Sequence, residues 1–138
     1  MKRIMSAFLV SLLVLSFFAI PTAAATESRA SEQIATYCSG AFPVGNGEIA
    51  IEFSISGRGT MSNIGAKEIK IYHGSRWEFC DTYTKNDDGM CTTNDYVYEN
   101  TIVYPGTAGT YYKVVVTVFA ENANGSDSRT ETHYVTAR

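Results

Sequence analysis

The chain has 138 residues, with 11 basic and 14 acidic side chains for a formal charge of −3, and 45% of its residues are apolar. This length suits a single domain, and the dispersed acidic balance excludes the clustered Lys and Arg that nucleic acid or anionic lipid surfaces demand. All the leucines, Leu9, Leu12, Leu13 and Leu15, fall near the start, and the apolar residues beyond them are mainly Val, Ile, Tyr, Phe and Ala.

The first element is a leader. Lys2 and Arg3 precede an apolar run over residues 7–20 broken only by Ser11 and Ser16, then Pro21 and the small residues Ala23, Ala24 and Ala25. That is the layout of a secretory signal peptide over 1–25. At about 1.5 Å per residue the run is too short to cross a hydrocarbon core of ~30 Å. The expected product is therefore secreted and leaves the membrane after cleavage. It keeps nine basic against 14 acidic residues. Residues 26–36 are polar and aperiodic and predict a flexible N-terminal arm, followed by a β-domain over 37–138.

Within that domain β-branched and aromatic residues dominate, as suits a pleated, half-buried surface. A weak strand over 37–44 ends at Gly45-Asn46-Gly47, whose Asn-Gly supplies a tight hairpin turn. Residues 48–56 alternate, with Ile49, Ile51, Phe53 and Ile55 on one face and Glu48, Ala50, Glu52 and Ser54 on the other. Gly57-Arg58-Gly59 ends this strand, and 60–65 reads as loop. A further strand over 67–73 turns Ile69 and Ile71 inward. Strands follow over 77–84 and 96–104, separated by the polar turn 85–89. The longest run, 111–121, carries Tyr112, Val114, Val116, Val118 and Ala120 on one face and Val115 and Phe119 on the other, as a central strand would. After the turn 122–125 the last strand covers 129–136. Seven short strands with no helical period predict an all-β, antiparallel, immunoglobulin-like sandwich, with an up-and-down barrel the alternative that strands this short disfavour.

Two resemblances support this reading. Tyr112 with alternating Val114, Val116 and Val118, then Ala120, Asn122 and the turn at Gly125, resembles the closing strands of fibronectin type III and related immunoglobulin-like domains. The segments Gly59-Thr60-Met61, Ile64-Gly65-Ala66, Tyr104-Pro105-Gly106 with Gly109, Gly125 to Arg129 and Val135-Thr136-Ala137 resemble a family of small secreted proteins of Gram-positive bacteria with no established activity. The resemblance implies a sandwich fold and an extracellular compartment. It carries over no catalytic or binding residue.

The chemistry-bearing residues are few. Cys38, Cys80 and Cys91 are an odd set in an exported chain, and a Cys80–Cys91 disulfide across the polar turn is the plausible pairing, with buried thiols the alternative. A catalytic thiolate needs a cation beside it, and only His73 and His133 are on offer. Asn86, Asp87, Asp88, Asn94 and Asp95 gather oxygen atoms, but their order is that of turn formers rather than a calcium loop. No zinc spacing, phosphate-cradling glycine loop or nucleophile elbow occurs. Glu48, Glu52, Glu68, Glu78, Glu99 and Glu131 fall at strand positions without a signalled pairing. Catalytic, cofactor and metal residues are thus expected to be absent.

What remains is the aromatic complement. Tyr72, Trp77, Tyr83, Tyr96, Tyr98 and Tyr104 lie on the middle strands, and rings sharing one outer face make a stacking surface for a glycan or protein partner. The expected function is a secreted, non-enzymatic binding module. A small hydrolase or thiol-dependent enzyme is the alternative from another class, and a self-associating structural protein is the third.

Overall fold

The computed structural model describes residues 32–138; the expected leader at 1–25 and residues 26–31 lie outside the described residues. The described chain is all-β, one antiparallel sheet that curls on itself. Its strands are β1 (Ile34–Gly45), β2 (Glu48–His73), β3 (Glu78–Thr84), β4 (Cys91–Pro105), β5 (Tyr111–Asn122) and β6 (Gly125–Thr136).

β2 organises the sheet because it is long enough to serve two sets of neighbours. Its first half pairs with β1 and its second half with β5, while β4 and then β3 run along its other edge. β6 extends the sheet beyond β5, and β1 packs back against β5 and β6. The ladder with β4 breaks between Ser56 and Met61. Gly57 makes that break possible: a Cβ there would lie 2.8 Å from the Met61 side chain, which is buried at the bend. A Gly-Arg-Gly segment thus acts as a bulge that re-aims the strand rather than ending it. This corrects two expectations. Residues 60–65 are strand rather than loop, and the seven expected strands become six because two of them are halves of β2.

The alternating runs point inward as their phase demands. Ile49, Ile51, Phe53, Ile55, Ile69, Ile71, Val114, Val116 and Val118 are all buried, at 2% exposure or less. Met61, Ile64 and Met90 complete the core between the two halves of the curled sheet. Each such side chain contributes roughly 1.5–3 kcal/mol by leaving water.

The arm expected over 26–36 is structured at its end. Gln33 is 5% exposed; its N–H donates to Asp127 Oδ2 at 2.7 Å and its Oε1 accepts from Asn122 Nδ2 at 2.5 Å. Its carbonyl accepts from the Arg58 N–H at 2.8 Å, and Ile34 is in the core. A polar segment reads as loose because such long-range partners leave no local trace. At the other end of the fold, the Thr107 N–H donates to Tyr112 Oη at 2.8 Å, and the Gly47 N–H donates to the carbonyl of Arg138 at 2.8 Å.

Candidate functional site

The outer face of the β3–β2–β5–β6 layer carries one concentrated set of side chains. Directly opposed residues share a face, so the registers Phe79↔Tyr72, Tyr72↔Lys113 and Lys113↔Tyr134 place four residues in one row across four strands. Tyr111 lies two residues before Lys113 on the same face, and Trp77 reaches over from the β2–β3 turn. Trp77 is 5.6 Å from Tyr111 and 5.4 Å from Tyr134 between ring centroids, tilted by 43° and 44°, while Tyr111 and Tyr134 are 6.1 Å apart and nearly parallel. Tyr72 meets Phe79 edge-on at 5.9 Å. Phe79, Tyr111 and Tyr134 are 58%, 48% and 55% exposed. These spacings fall within the range in which aromatic pairs attract.

Against two of the rings stands an ammonium. Lys113 Nζ is 4.6 Å from the centroid of Tyr72 and 5.2 Å from that of Trp77. The negative ring faces hold the cation, and no carboxylate pairs with it among the described residues. Nearby Glu78 faces His73 at 3.9 Å, an ion pair only when the imidazole is protonated, and Glu68 pairs with Lys70 at 3.2 Å.

Trp77 is held at a backbone cost. Its φ is +51°, a region that bulky residues rarely adopt and where Gly or Asn ordinarily stands in a hairpin turn. The turn is tied down by Trp77 N–H to the Gly74 carbonyl (3.4 Å) and Gly74 N–H to the Tyr111 carbonyl (3.3 Å). Strain of this kind costs of order 1–3 kcal/mol and persists where surrounding contacts fix it.

Of the aromatic residues named from the sequence, Tyr72 and Trp77 belong to this platform and the others do not. Tyr83, Tyr98 and Tyr104 occupy the inward phase and pack against the core. Tyr98 Oη donates to the Gly89 carbonyl at 2.9 Å. Burial pushes the Tyr104 hydroxyl up to about 12, with the adjacent Cys80 adding to the shift, and burial raises Tyr83 in the same direction. Tyr96 is exposed but sits where the β2–β4 ladder breaks, away from the platform. The sequence reading missed Phe79, Tyr111, Lys113 and Tyr134. Counting back from the turn at residues 122–125 places Tyr134 opposite Lys113, so the hairpin register was the available signal.

The expected Cys80–Cys91 bridge is not formed; all three cysteines are free. Cys91 pairs opposite Gly65, whereas Cys80 sits at the bulge opposite Ile71 and Tyr72. Six residues along β2 separate the two by roughly 20 Å, far beyond the ~7 Å limit between bridged Cα atoms. Cys91 Sγ donates to the Lys85 carbonyl at 3.2 Å, and burial raises the Cys80 thiol above its ordinary value. The polar loop is equally committed to its own backbone: Asp87 Oδ2 accepts from the Thr84 N–H at 2.7 Å, and Asp95 Oδ1 from the Tyr96 N–H at 2.7 Å. Among the described residues no three His, Cys, Asp or Glu side chains are grouped to hold a metal ion.

Two other places invite a catalytic reading. Ser39, Glu131 and His133 meet where β1 packs on β6, with Ser39 Oγ donating to Glu131 Oε2 at 2.5 Å and lying 2.7 Å from His133 Nε2. The single hydroxyl proton points at the carboxylate, so the serine oxygen accepts from His133 Nε2–H. In a nucleophilic triad the histidine stands between serine and acid and accepts the serine proton. Here the serine stands between, and the trio ties two strands together. On the outer face of β1, β2 and β4 lies a shallow depression of about 580 Å³ lined by Cys38, Phe42, Glu52, Ser54, Glu99 and Thr101 among others. Neither histidine is hydrogen-bonded to a cysteine among the described residues.

Comparisons with protein-family models, with curated proteins and with solved structures gave no match to this chain.

Proposed function

We propose that this chain is an exported, non-enzymatic, immunoglobulin-like binding module that engages an extracellular partner through the platform of Tyr72, Trp77, Phe79, Tyr111 and Tyr134. The observation that carries the reading is the joint occurrence of clustered exposed rings and a strained tryptophan among them. Monomeric proteins rarely leave so many large rings together in water without use, and aromatic side chains dominate recognition because they offer much area for few rotatable bonds. Export rests on the leader pattern of residues 1–25 and on the resemblance to secreted Gram-positive proteins. The immunoglobulin-like assignment rests on the closing hairpin and on the folding of the sheet about β2.

Binding of the purified chain to an array of glycans and to the surface proteins of intact bacterial cells tests the reading. Loss of captured partners in Trp77→Gly and Tyr134→Ala is expected; retention of all of them in both variants contradicts it. Self-association is the second reading, favoured by β4, which among the described residues pairs only with β2 and carries exposed Val97 and Val103. Dependence of sedimentation on concentration, abolished by Val103→Lys, would support it.

A further inference from the structure

We infer that the platform's ligand is an anionic saccharide, its sugar rings laid on the aromatic side chains and its acidic group paired with Lys113. The inference rests on the binding role proposed above and names the class of ligand.

Three features of the platform lead there. The first is its shape. Phe79, Tyr72, Lys113 and Tyr134 stand in a row at the strand spacing, spanning about 14 Å over three intervals. Each interval is close to the length of one pyranose residue in a chain. A saccharide lying across the strands therefore meets one side chain per sugar. Pyranose rings present a face of C–H groups to the electron-rich face of an aromatic ring, and their hydroxyls reach past it to solvent or to a tyrosine Oη.

The second is composition. The row and its neighbours Trp77 and Tyr111 consist of five rings and one ammonium, with no aliphatic side chain among them. Three of the five rings are tyrosines, each carrying a hydroxyl at its tip, and Trp77 adds an indole N–H. Rings with polar tips suit a ligand that is itself apolar on its faces and polar at its edges.

The third is charge. The chain is acidic, with 14 acidic residues against 11 basic, yet the platform carries a cation. Lys113 has no carboxylate or hydrogen-bond partner among the described residues; its contacts are the faces of Tyr72 and Trp77. Arg76 is exposed on the turn immediately before Trp77. The acidic side chains close by, Glu78 and Glu68, already face His73 and Lys70. An ammonium held among rings keeps three N–H donors to offer, and charge-assisted bonds to carboxylate, sulfate or phosphate are the strongest it can make. A neutral glycan would leave that charge unused.

The test uses the purified chain with polygalacturonate, with its fully methyl-esterified counterpart and with heparin, measured by calorimetry at low and high salt. The esterified polymer keeps the sugar backbone and removes the charge, and heparin asks whether sulfate serves as well as carboxylate. The expected result is binding to one or both polyanions, at least about tenfold weaker for the ester and weakened by salt. Lys113→Gln should lose about tenfold toward the polyanion and leave the ester unaffected, and Lys113→Arg should restore most of the loss. Tyr134→Ala, at a half-exposed position, should weaken both ligands without unfolding the chain, which near-ultraviolet circular dichroism checks. Equal binding of polygalacturonate and its ester, with Lys113→Gln silent, overturns the anionic inference and leaves the platform standing. Capture of a protein partner that is lost in Trp77→Gly, with no saccharide bound, overturns the saccharide class alone. Polyanion binding indifferent to Trp77, Tyr134 and Lys113 overturns both the inference and the platform.

Discussion

The two outer faces of the curled sheet use aromatic side chains in opposite ways. On the β1–β2–β4 face, Phe42 lies over Gly40, where an added Cβ would meet the ring at 2.7 Å. Phe42 there covers a glycine and the backbone around it, a packing role. On the β3–β2–β5–β6 face, five rings cluster, two of them, Tyr72 and Trp77, face an ammonium, and Trp77 is held in a strained backbone conformation. Phe42 is 51% exposed, as much as Tyr111 or Tyr134, so exposure does not separate the two faces. What separates them is clustering about a charge, and clustering is a product of register.

The largest expected difference between the faces is in binding. Trp77→Gly on the platform should weaken partner binding by more than about tenfold, as truncation of a central aromatic anchor does, while Phe42→Ala should leave it unchanged. The same Trp77→Gly substitution should move stability by less than about 1 kcal/mol, because relief of the positive φ offsets the lost ring contacts. Urea unfolding checks that half. A loss of several kcal/mol would make Trp77 a structural residue and erase the distinction between the faces.

Next come the residues between the faces. Val116→Ala should cost about 1–3 kcal/mol through lost burial and a residual cavity, whereas Glu52→Ala on the outer β1–β2–β4 face should cost under about 0.5 kcal/mol. Equal shifts in the two urea midpoints would mean that the inward and outward phases of β2 are misassigned. Ser39→Ala should cost about 1 kcal/mol by leaving Glu131 and His133 without their shared partner at the β1–β6 contact. Any effect of that substitution on binding would link the seam to the platform, which the present account keeps apart.

The smallest effects concern titration. Tyr104 is held protonated up to about 12, above the ordinary tyrosine value of ~10. A pKa raised in the folded state gives a stabilising contribution that is complete below the unfolded value and is lost as pH rises through the folded one. Stability should therefore decline from about pH 10 through 12, and phenolate absorbance should show a late-titrating tyrosine that Tyr104→Phe removes. The thiols should be three per chain under non-reducing conditions, with exposed Cys38 modified fastest and Cys80, whose thiol burial raises, the slowest. A single free thiol would restore the disulfide expected from the sequence.

The sequence was most legible where one phase of a strand was uniformly aliphatic. Ile49 to Ile55 and Val114 to Val118 declared their buried face by period alone. It was least legible at Gly57-Arg58-Gly59, because a glycine pair signals a stop as readily as a bulge, and only the pairing with β4 on both sides distinguishes them. The platform was legible in part. Tyr72 and Trp77 were recognisable as candidates, but Tyr83, Tyr98 and Tyr104 share their composition and differ only in phase on strands where aromatic residues fall on both faces. Tyr111 and Tyr134 sit 34 and 57 residues from Trp77 in the chain, so only the cross-strand registers bring the three rings together. The thiols failed for the complementary reason. A short loop in sequence suggested proximity, and an extended pairing along β2 drew its ends apart.

Trp77 is the chain's one tryptophan, so its emission reports on the platform directly. Titration with polygalacturonate, followed by tryptophan fluorescence and calorimetry on the same samples, tests the central claim. The expected result is a saturable change in Trp77 emission and protection from a soluble quencher, at the concentrations where heat is released, with both weakened together in Lys113→Gln. Heat of binding that saturates while Trp77 emission and quenching stay constant would contradict it.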